Sequence, residues 1–246
     1  MTFKIDHVTL AASTLNLLVE SFTAAGMTPD YGGAHSNRIT HMSLLGFNDG
    51  SYIELISTIS PGTSAPRWGR HITMDGGPCA WAVEVRDIAG HAARIASAGI
   101  PVDGPTYVHR ERPDGVLVEW DLAFVGEEGP GALHPFLIED RTPKDFRVRV
   151  SESVRDGPLT GVAKVVIAVP DLEMASEIFQ RVYDLAPPYS ATCTSLPGDV
   201  LVFHGEPLAL ATSDDEESWM GKRIKQFGAS PCAYLLGCTD LGRGRV

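Results

Sequence analysis

An imidazole at His7 and a carboxylate at Glu54 are the side chains of this chain best placed to do chemistry together. Each sits inside an apolar run, Ile5-Asp6-His7-Val8-Thr9-Leu10-Ala11-Ala12 and Tyr52-Ile53-Glu54-Leu55-Ile56. Side chains alternate between the two faces of a strand. With Val8, Leu10 and Ala12 under a covering helix, His7, Thr9 and Ala11 take the opposite face. With Ile53 and Leu55 on the helix side, Glu54 joins His7, and Tyr52 and Ile56 share its face. A nitrogen and a carboxylate oxygen in one apolar hollow suit a divalent metal such as zinc, iron, manganese or nickel. Two ligands are not a site, so a further donor is needed. Alternatively, burial raises the pKa of Glu54 and the carboxylate acts as a base without any metal. Tyr52 would then offer a hydrogen bond to a substrate oxygen.

His35, His41, His71 and His109 are candidates for the further donor. His41 is the best of them, because Thr40-His41-Met42-Ser43 reads as the strand beside Glu54; the competing reading is a hydrogen-bonded or solvated histidine. Arg110 and Arg112 precede a Pro-Asp-Gly turn and Glu119 and Trp120 follow it, so guanidinium, carboxylate and indole would share one wall. Arginine forks onto carboxylates, which suggests a clamp for an anionic or carbonyl-bearing ligand. An exposed cross-strand Arg–Glu pair of little energetic weight is the alternative. Trp68 lies in the long Arg67-Trp68-Gly69-Arg70-His71 connection, where a loop can cover a binding site.

The elements that must hold these residues repeat along the chain. Pro78-Cys79-Ala80-Trp81 returns as Pro231-Cys232-Ala233-Tyr234, and four segments share the pattern of an apolar strand followed by a helix start. Residues 5–57 read as a βαβββ module, with a helix over 14–26 stopped by Gly26 and an Asp49-Gly50 turn between its last strands. Residues 80–141 repeat the order, 142–160 read as a charged, aperiodic linker, 161–212 form a third module, and 232–246 only begin a fourth. The expected fold is α+β: repeated βαβββ modules in a curved half-barrel sheet with helices outside, followed by a partial second copy. In module two the place of His7 falls on Ala80 and that of Glu54 near Glu139.

The segments IDHVTLAA, THMSLLGFNDGSYIELIS, RERPDGVLVEWDLAF and HPFLIEDR resemble the vicinal oxygen chelate superfamily, and within it the glyoxalase-like domain family, over most of the chain. The resemblance implies paired modules around a cup that binds one metal through the first and last strands of each module. His7 and Glu54 match that pattern, Ala80 departs from it, and Glu139 is the remaining candidate ligand. The corresponding residues of the second half, Lys164, Ala209 and Ala233, offer no donor set. The resemblance implies a lyase, isomerase or ring-cleaving dioxygenase acting on a small molecule with adjacent oxygens. The rival is a protein that sequesters a small molecule in the same cup without turning it over.

Composition narrows the partners. With 31 acidic against 20 basic residues the net charge is -11, which disfavours nucleic acid. No apolar stretch approaches the length of a membrane span and no leader is visible, so a cytoplasmic protein is expected. Its four cysteines include no C-x-x-C pair, so neither a zinc ribbon nor a redox dithiol is expected. An incomplete second half-barrel would leave apolar sheet exposed, which suggests a homodimer.

Overall fold

A computed structural model describes residues 2–112, 114–127, 129 and 131–239. The first module runs β1 (Ile5–Ala11), α1 (Leu15–Ala24), β2 (Asp30–Ala34), β3 (Thr40–Gly46) and β4 (Tyr52–Thr58). After α2 (Gly69–Thr73) the second module follows as β5 (Gly77–Glu84), α3 (Ile88–Ser97), β6 (Val102–Glu111), β7 (Leu117–Val125) and β8 (Phe136–Asp140). The eight strands form one curled sheet in the order β2-β3-β4-β1-β5-β8-β7-β6. The modules meet at the antiparallel β1–β5 pair, and the β1–β4 and β5–β8 pairs beside it are both parallel, so the sheet is nearly symmetric about its centre.

Local sequence explains the boundaries. Thr14 caps α1 by accepting from the Leu17 amide, and Leu15 and Leu18 bury its inner face. The β3–β4 turn closes through Asp49, whose carboxylate accepts from the Ser51 amide, and through Gly50 at φ 85°.

Residues 142–160, expected as a linker, carry α4 (Lys144–Arg147) and α5 (Glu152–Arg155) and pack on the first sheet. Val150 bridges to Gly46, and a side chain at position 46 would run into the Arg149 carbonyl. The third module is β9 (Leu159–Ala168), α6 (Leu172–Tyr183), β10 (Tyr189–Ala191), β11 (Asp199–Val202) and β12 (Leu208–Thr212), followed by α7 (Trp219–Phe227) and β13 (Ser230–Cys238). The second sheet has the order β10-β11-β12-β9-β13, in which β13 pairs with β9 as β5 pairs with β1. The helix start expected at Asp240-Leu241 lies outside the described residues.

The apolar face expected to be bare in the second half is covered. Val166, Ala168, Ala209 and Ala211 occupy the face of the second sheet that corresponds to the cup, and Met220 of α7 is fully buried against them. The charge-rich sequence of α7 hid this role. None of the described helices is long and apolar enough to cross a membrane.

Both halves contribute to one core. Phe3 and Trp81 from the first sheet pack edge-on, 5.4 Å between centroids, and Phe3 also meets Tyr183 of α6 at 5.0 Å. Phe179 of α6 is fully buried beside them, and the Tyr183 hydroxyl lies 3.0 Å from Nδ1 of His134. The shared core predicts a single unfolding transition for the whole chain. Phe179→Ala should lower stability by about 3–5 kcal/mol and shift that one transition in urea followed by circular dichroism. Separate transitions for the two halves would contradict the shared core.

Candidate functional site

The concave face of the first sheet encloses a cavity of about 370 Å³. Its floor is polar: His7 from β1, Tyr52 and Glu54 from β4, and His35 from the loop after β2. Its walls are apolar and aromatic, with Trp68, Trp120, Leu122, Phe124 and Phe136 among them. Strand register produces the floor, since His7 stands beside Tyr52 and Thr9 beside Glu54 in the parallel β1–β4 pair.

Glu54 is buried and accepts from both sides. Nε2 of His35 is 2.9 Å from its Oε1, and the Thr9 hydroxyl donates to Oε2 at 3.3 Å. Burial alone would raise the pKa of this carboxyl. The His35 hydrogen bond, the charges of His35 and His7, and the Thr9 hydroxyl outweigh burial and hold it at about 2. Glu54 is therefore a fixed anion, which corrects the expectation that burial would make it a base of raised pKa.

His7 is oriented from behind. Its Nδ1 is 2.7 Å from Oδ1 of Asp6, while Nε2 stands 3.6 Å from Oε2 of Glu54, beyond hydrogen-bond length. Asp6 is completely buried, and the charge and hydrogen bonds of Arg147 keep its pKa well below the usual range despite desolvation. An ionised Asp6 accepts from the Nδ1–H of His7, which turns Nε2 toward Glu54 and the cup.

Arg147, 4% exposed, fixes this arrangement. Its guanidinium donates to both oxygens of Asp6 at 2.8 and 2.7 Å, to both oxygens of Asp140 at 2.8 and 2.9 Å, and to the Tyr52 hydroxyl at 2.8 Å. Tyr52 stacks on His7, 4.6 Å between centroids, and burial pushes its phenol pKa up. Its hydroxyl is thus turned to Arg147, and its ring position makes it a support for His7.

Several expected site residues lie elsewhere. Glu139 faces the helix layer, where its oxygens accept from the Asp87 and Ile88 amides at 3.0 and 2.9 Å and cap α3. Strand alternation puts Phe136 and Ile138 into the cup instead. His41 pairs with Ser57 on the face opposite Thr40 and Met42, with its ring against Tyr31. Arg112 lies past the end of β6 and binds Asp114 and the Phe146 carbonyl outside the cup. Glu119 turns to the Tyr107 hydroxyl. Arg110, Trp120 and Trp68 do line the cup, together with His7, Tyr52 and Glu54.

Three contributors escaped the strand pattern. Asp6 should point to the helix layer, but β1 shifts register against β5 between Ile5 and His7, and alternation fails there. His35 is delivered by a loop in which Asn37 accepts from the Ile39 and Thr40 amides, and the Thr40 hydroxyl holds its Nδ1 at 2.9 Å. Arg147 reaches back from the expected linker.

The donor types suit a divalent metal, but their arrangement does not. His7 and His35 stand on different oxygens of Glu54, and the described residues include no group of three or more His, Cys, Asp or Glu placed to hold an ion. Ala80 and Ala82 lie in the apolar cluster of this face with Phe136, and Cys79 beside them donates its thiol to the Thr9 carbonyl. The cluster is a hydrogen-bonded chain.

Two measurements test this electrostatic design. Arg147→Met removes the bidentate partner of the buried Asp6 and the part-buried Asp140, leaving Asp6 to Lys144 at 2.9 Å and to His7, and should cost about 3 kcal/mol of stability in urea denaturation. Folding depresses the Glu54 pKa from an unfolded value of about 4.3 to about 2. The stabilisation is therefore complete above the unfolded value and is lost as pH falls through the folded one. Wild type should lose on the order of 3 kcal/mol more than Glu54→Gln between pH 5 and pH 2.

Comparison with known proteins places the chain. A family model described as "Glyoxalase-like domain" matches residues 5–183. No curated protein matches. Among solved structures, a hypothetical protein from Staphylococcus aureus shares 15% identity at a TM-score of 0.63, covering 86% of this chain and 87% of that one. A mutant of 4-hydroxymandelate synthase from Streptomyces coelicolor shares 11% identity at 0.58, over 94% of this chain and 69% of that one. A xylose isomerase-like TIM barrel/4-hydroxyphenylpyruvate dioxygenase fusion protein shares 15% identity at 0.57, over 99% of this chain and 37% of that one. At these identities the structures share the fold alone. With its family model spanning both modules of the cup, the chain belongs to the glyoxalase-like domain family.

Proposed function

We propose that the cup is the active site of an enzyme that moves a proton on a small molecule carrying a carbonyl and an adjacent oxygen, in the manner of an isomerase or lyase. The observation that carries this reading is the Asp6–His7 dyad, which presents Nε2 of His7 to an apolar cavity. An imidazole held by a buried carboxylate is an oriented general base. Nε2 takes the proton from the carbon beside the carbonyl, and the electron pair of the broken C–H bond moves into an enolate. Asp6 behind the ring and Glu54 in front of it both stabilise the imidazolium. Return of the same proton to the neighbouring atom completes an isomerisation; its delivery to a leaving group completes an elimination.

The enolate oxygen needs a cationic donor. Arg110 lines the same cavity, 8% exposed, and is held by the Gly32 and Arg147 carbonyl oxygens at 2.7 and 2.8 Å. Its remaining N–H groups are free to meet that oxygen without taking up the charge of a carboxylate.

Sequestration without turnover is the second reading, favoured by the apolar walls and by alanine at position 80. Deuterium wash-in, followed by proton NMR on a panel of hydroxy-ketones and 2-oxo aldehydes in heavy water, separates the two. Wild type should exchange the proton beside the carbonyl, and His7→Ala should slow exchange by about 10²–10⁴-fold. Exchange that survives in His7→Ala, or binding with no exchange across the panel, would sink the proton-transfer reading. A stoichiometric divalent ion in purified protein, lost in His7→Ala, would replace the hydrogen-bonded chain with a metal centre.

A further inference from the structure

We propose that the molecule taken by the cup is a flat, ring-bearing carboxylate, and that Arg67 at the rim receives its acid group. The proposal rests on reading the cup as the substrate site and adds the chemical class of the substrate. Three arginines line the cavity, and they are not equivalent. Arg147 is neutralised by Asp6 and Asp140. Arg110 donates to carbonyl oxygens, and Arg67 has no ion pair among the described residues. Arg67 is exposed at the rim, so its guanidinium is open to an entering carboxylate and has no counter-ion among the described residues to compete for it. Desolvation pushes the pKa of Arg67 down, opposed only by the more distant charge of Asp103.

The geometry of Arg67 selects the shape of the ligand. Its guanidinium carbon lies 3.7 Å from the centroid of the Phe124 ring. A guanidinium resting on an aromatic face keeps its N–H groups directed outward from its edge, where a carboxylate accepts them in pairs. Trp68, Trp120 and Phe136 supply the flat apolar surfaces beside it, and Trp68 and Phe136 stand 6.5 Å apart between centroids. A cavity of about 370 Å³ is at the small end of ligand pockets and suits a ring with a short acidic arm. Glu54, ionised on the floor, repels that acid and sets the polarity of binding. The carboxylate points to the rim and the reacting carbonyl to His7, leaving Arg110 for the developing oxyanion.

Trp68 and Trp120 make the test direct, because a ring entering the cup changes tryptophan fluorescence. Cinnamate and its neutral isostere cinnamamide are titrated against the full chain at low ionic strength. Wild type should bind the acid about tenfold more tightly than the amide. Arg67→Met, a rim substitution that touches no buried ion pair, should erase the preference by weakening the acid and leaving the amide unchanged. His7→Gln should keep the preference while losing proton exchange, so failure of the catalytic reading and failure of this one are distinguishable. Equal affinities in wild type, an acid preference that survives Arg67→Met, or no binding of either compound at millimolar concentration would each overturn the proposal.

Discussion

The buried pairing of Asp6 with Arg147 is the constraint on which the site depends. Desolvating two charges costs several kcal/mol each, and a buried pair recovers this only with excellent geometry and further hydrogen bonds. Both conditions hold: the pair is bidentate, Arg147 also binds Asp140 and Tyr52, and Asp6 also accepts a hydrogen bond from Nδ1 of His7. An apolar pair of similar volume would fill the same space. It would leave Nδ1 of His7 without an acceptor and Tyr52 without the donor that fixes its ring against the imidazole. The ion pair is best understood through what it orients, and its energetic cost is met inside the network that supports His7.

The two modules of the first sheet have divided their labour. Their strands are arranged alike, but the cup-facing positions of β1 and β4 carry His7, Thr9, Tyr52 and Glu54, whereas those of β5 and β8 carry Ala80, Ala82, Phe136 and Ile138. One side holds the charges and the other supplies dry surface. Low water access strengthens each electrostatic contact on the polar side, so the apolar module reinforces the charged cluster without adding a charge to it.

Much of this architecture was legible in the sequence. Alternation along Ile5–Ala12 and Tyr52–Ile56 put His7, Tyr52 and Glu54 on one face, and the repeated strand-then-helix pattern gave the curled sheet. Alternation failed where its premise failed. A register shift in β1 brought Asp6 to the ring of its own neighbour, and Glu139 kept strict alternation and so faced the helices. His35 depended on a loop conformation set by Asn37, and Arg147 on a long-range contact, 141 residues distant in sequence from Asp6. No periodic pattern encodes either of these. The raised pKa expected for Glu54 considered burial alone, while the outcome was decided by two imidazoles whose convergence is a tertiary fact.

The second half, whose corresponding face is apolar, acts on the cup through the backbone carbonyls of the first half. The Tyr234 hydroxyl of β13 lies within hydrogen-bond distance of the Thr9 and Ala80 carbonyls, 2.9 and 2.7 Å away, and these residues face each other across the β1–β5 pair. Arg223 of α7 spans the Gly76, Pro78 and Pro231 carbonyls, and Phe227 stacks on His71 at 4.2 Å. These contacts fall on the strand next to β1 and on the connection that carries Arg67 and Trp68. A half-barrel open on its concave side is free to flex about its central strand pair, and flexing there would carry the apolar wall of the second module away from His7 and Glu54, which ride together on the β1–β4 pair. Tethering that pair from the second sheet resists this motion, which gives the second half a physical reason to be fused to the half that holds the cup.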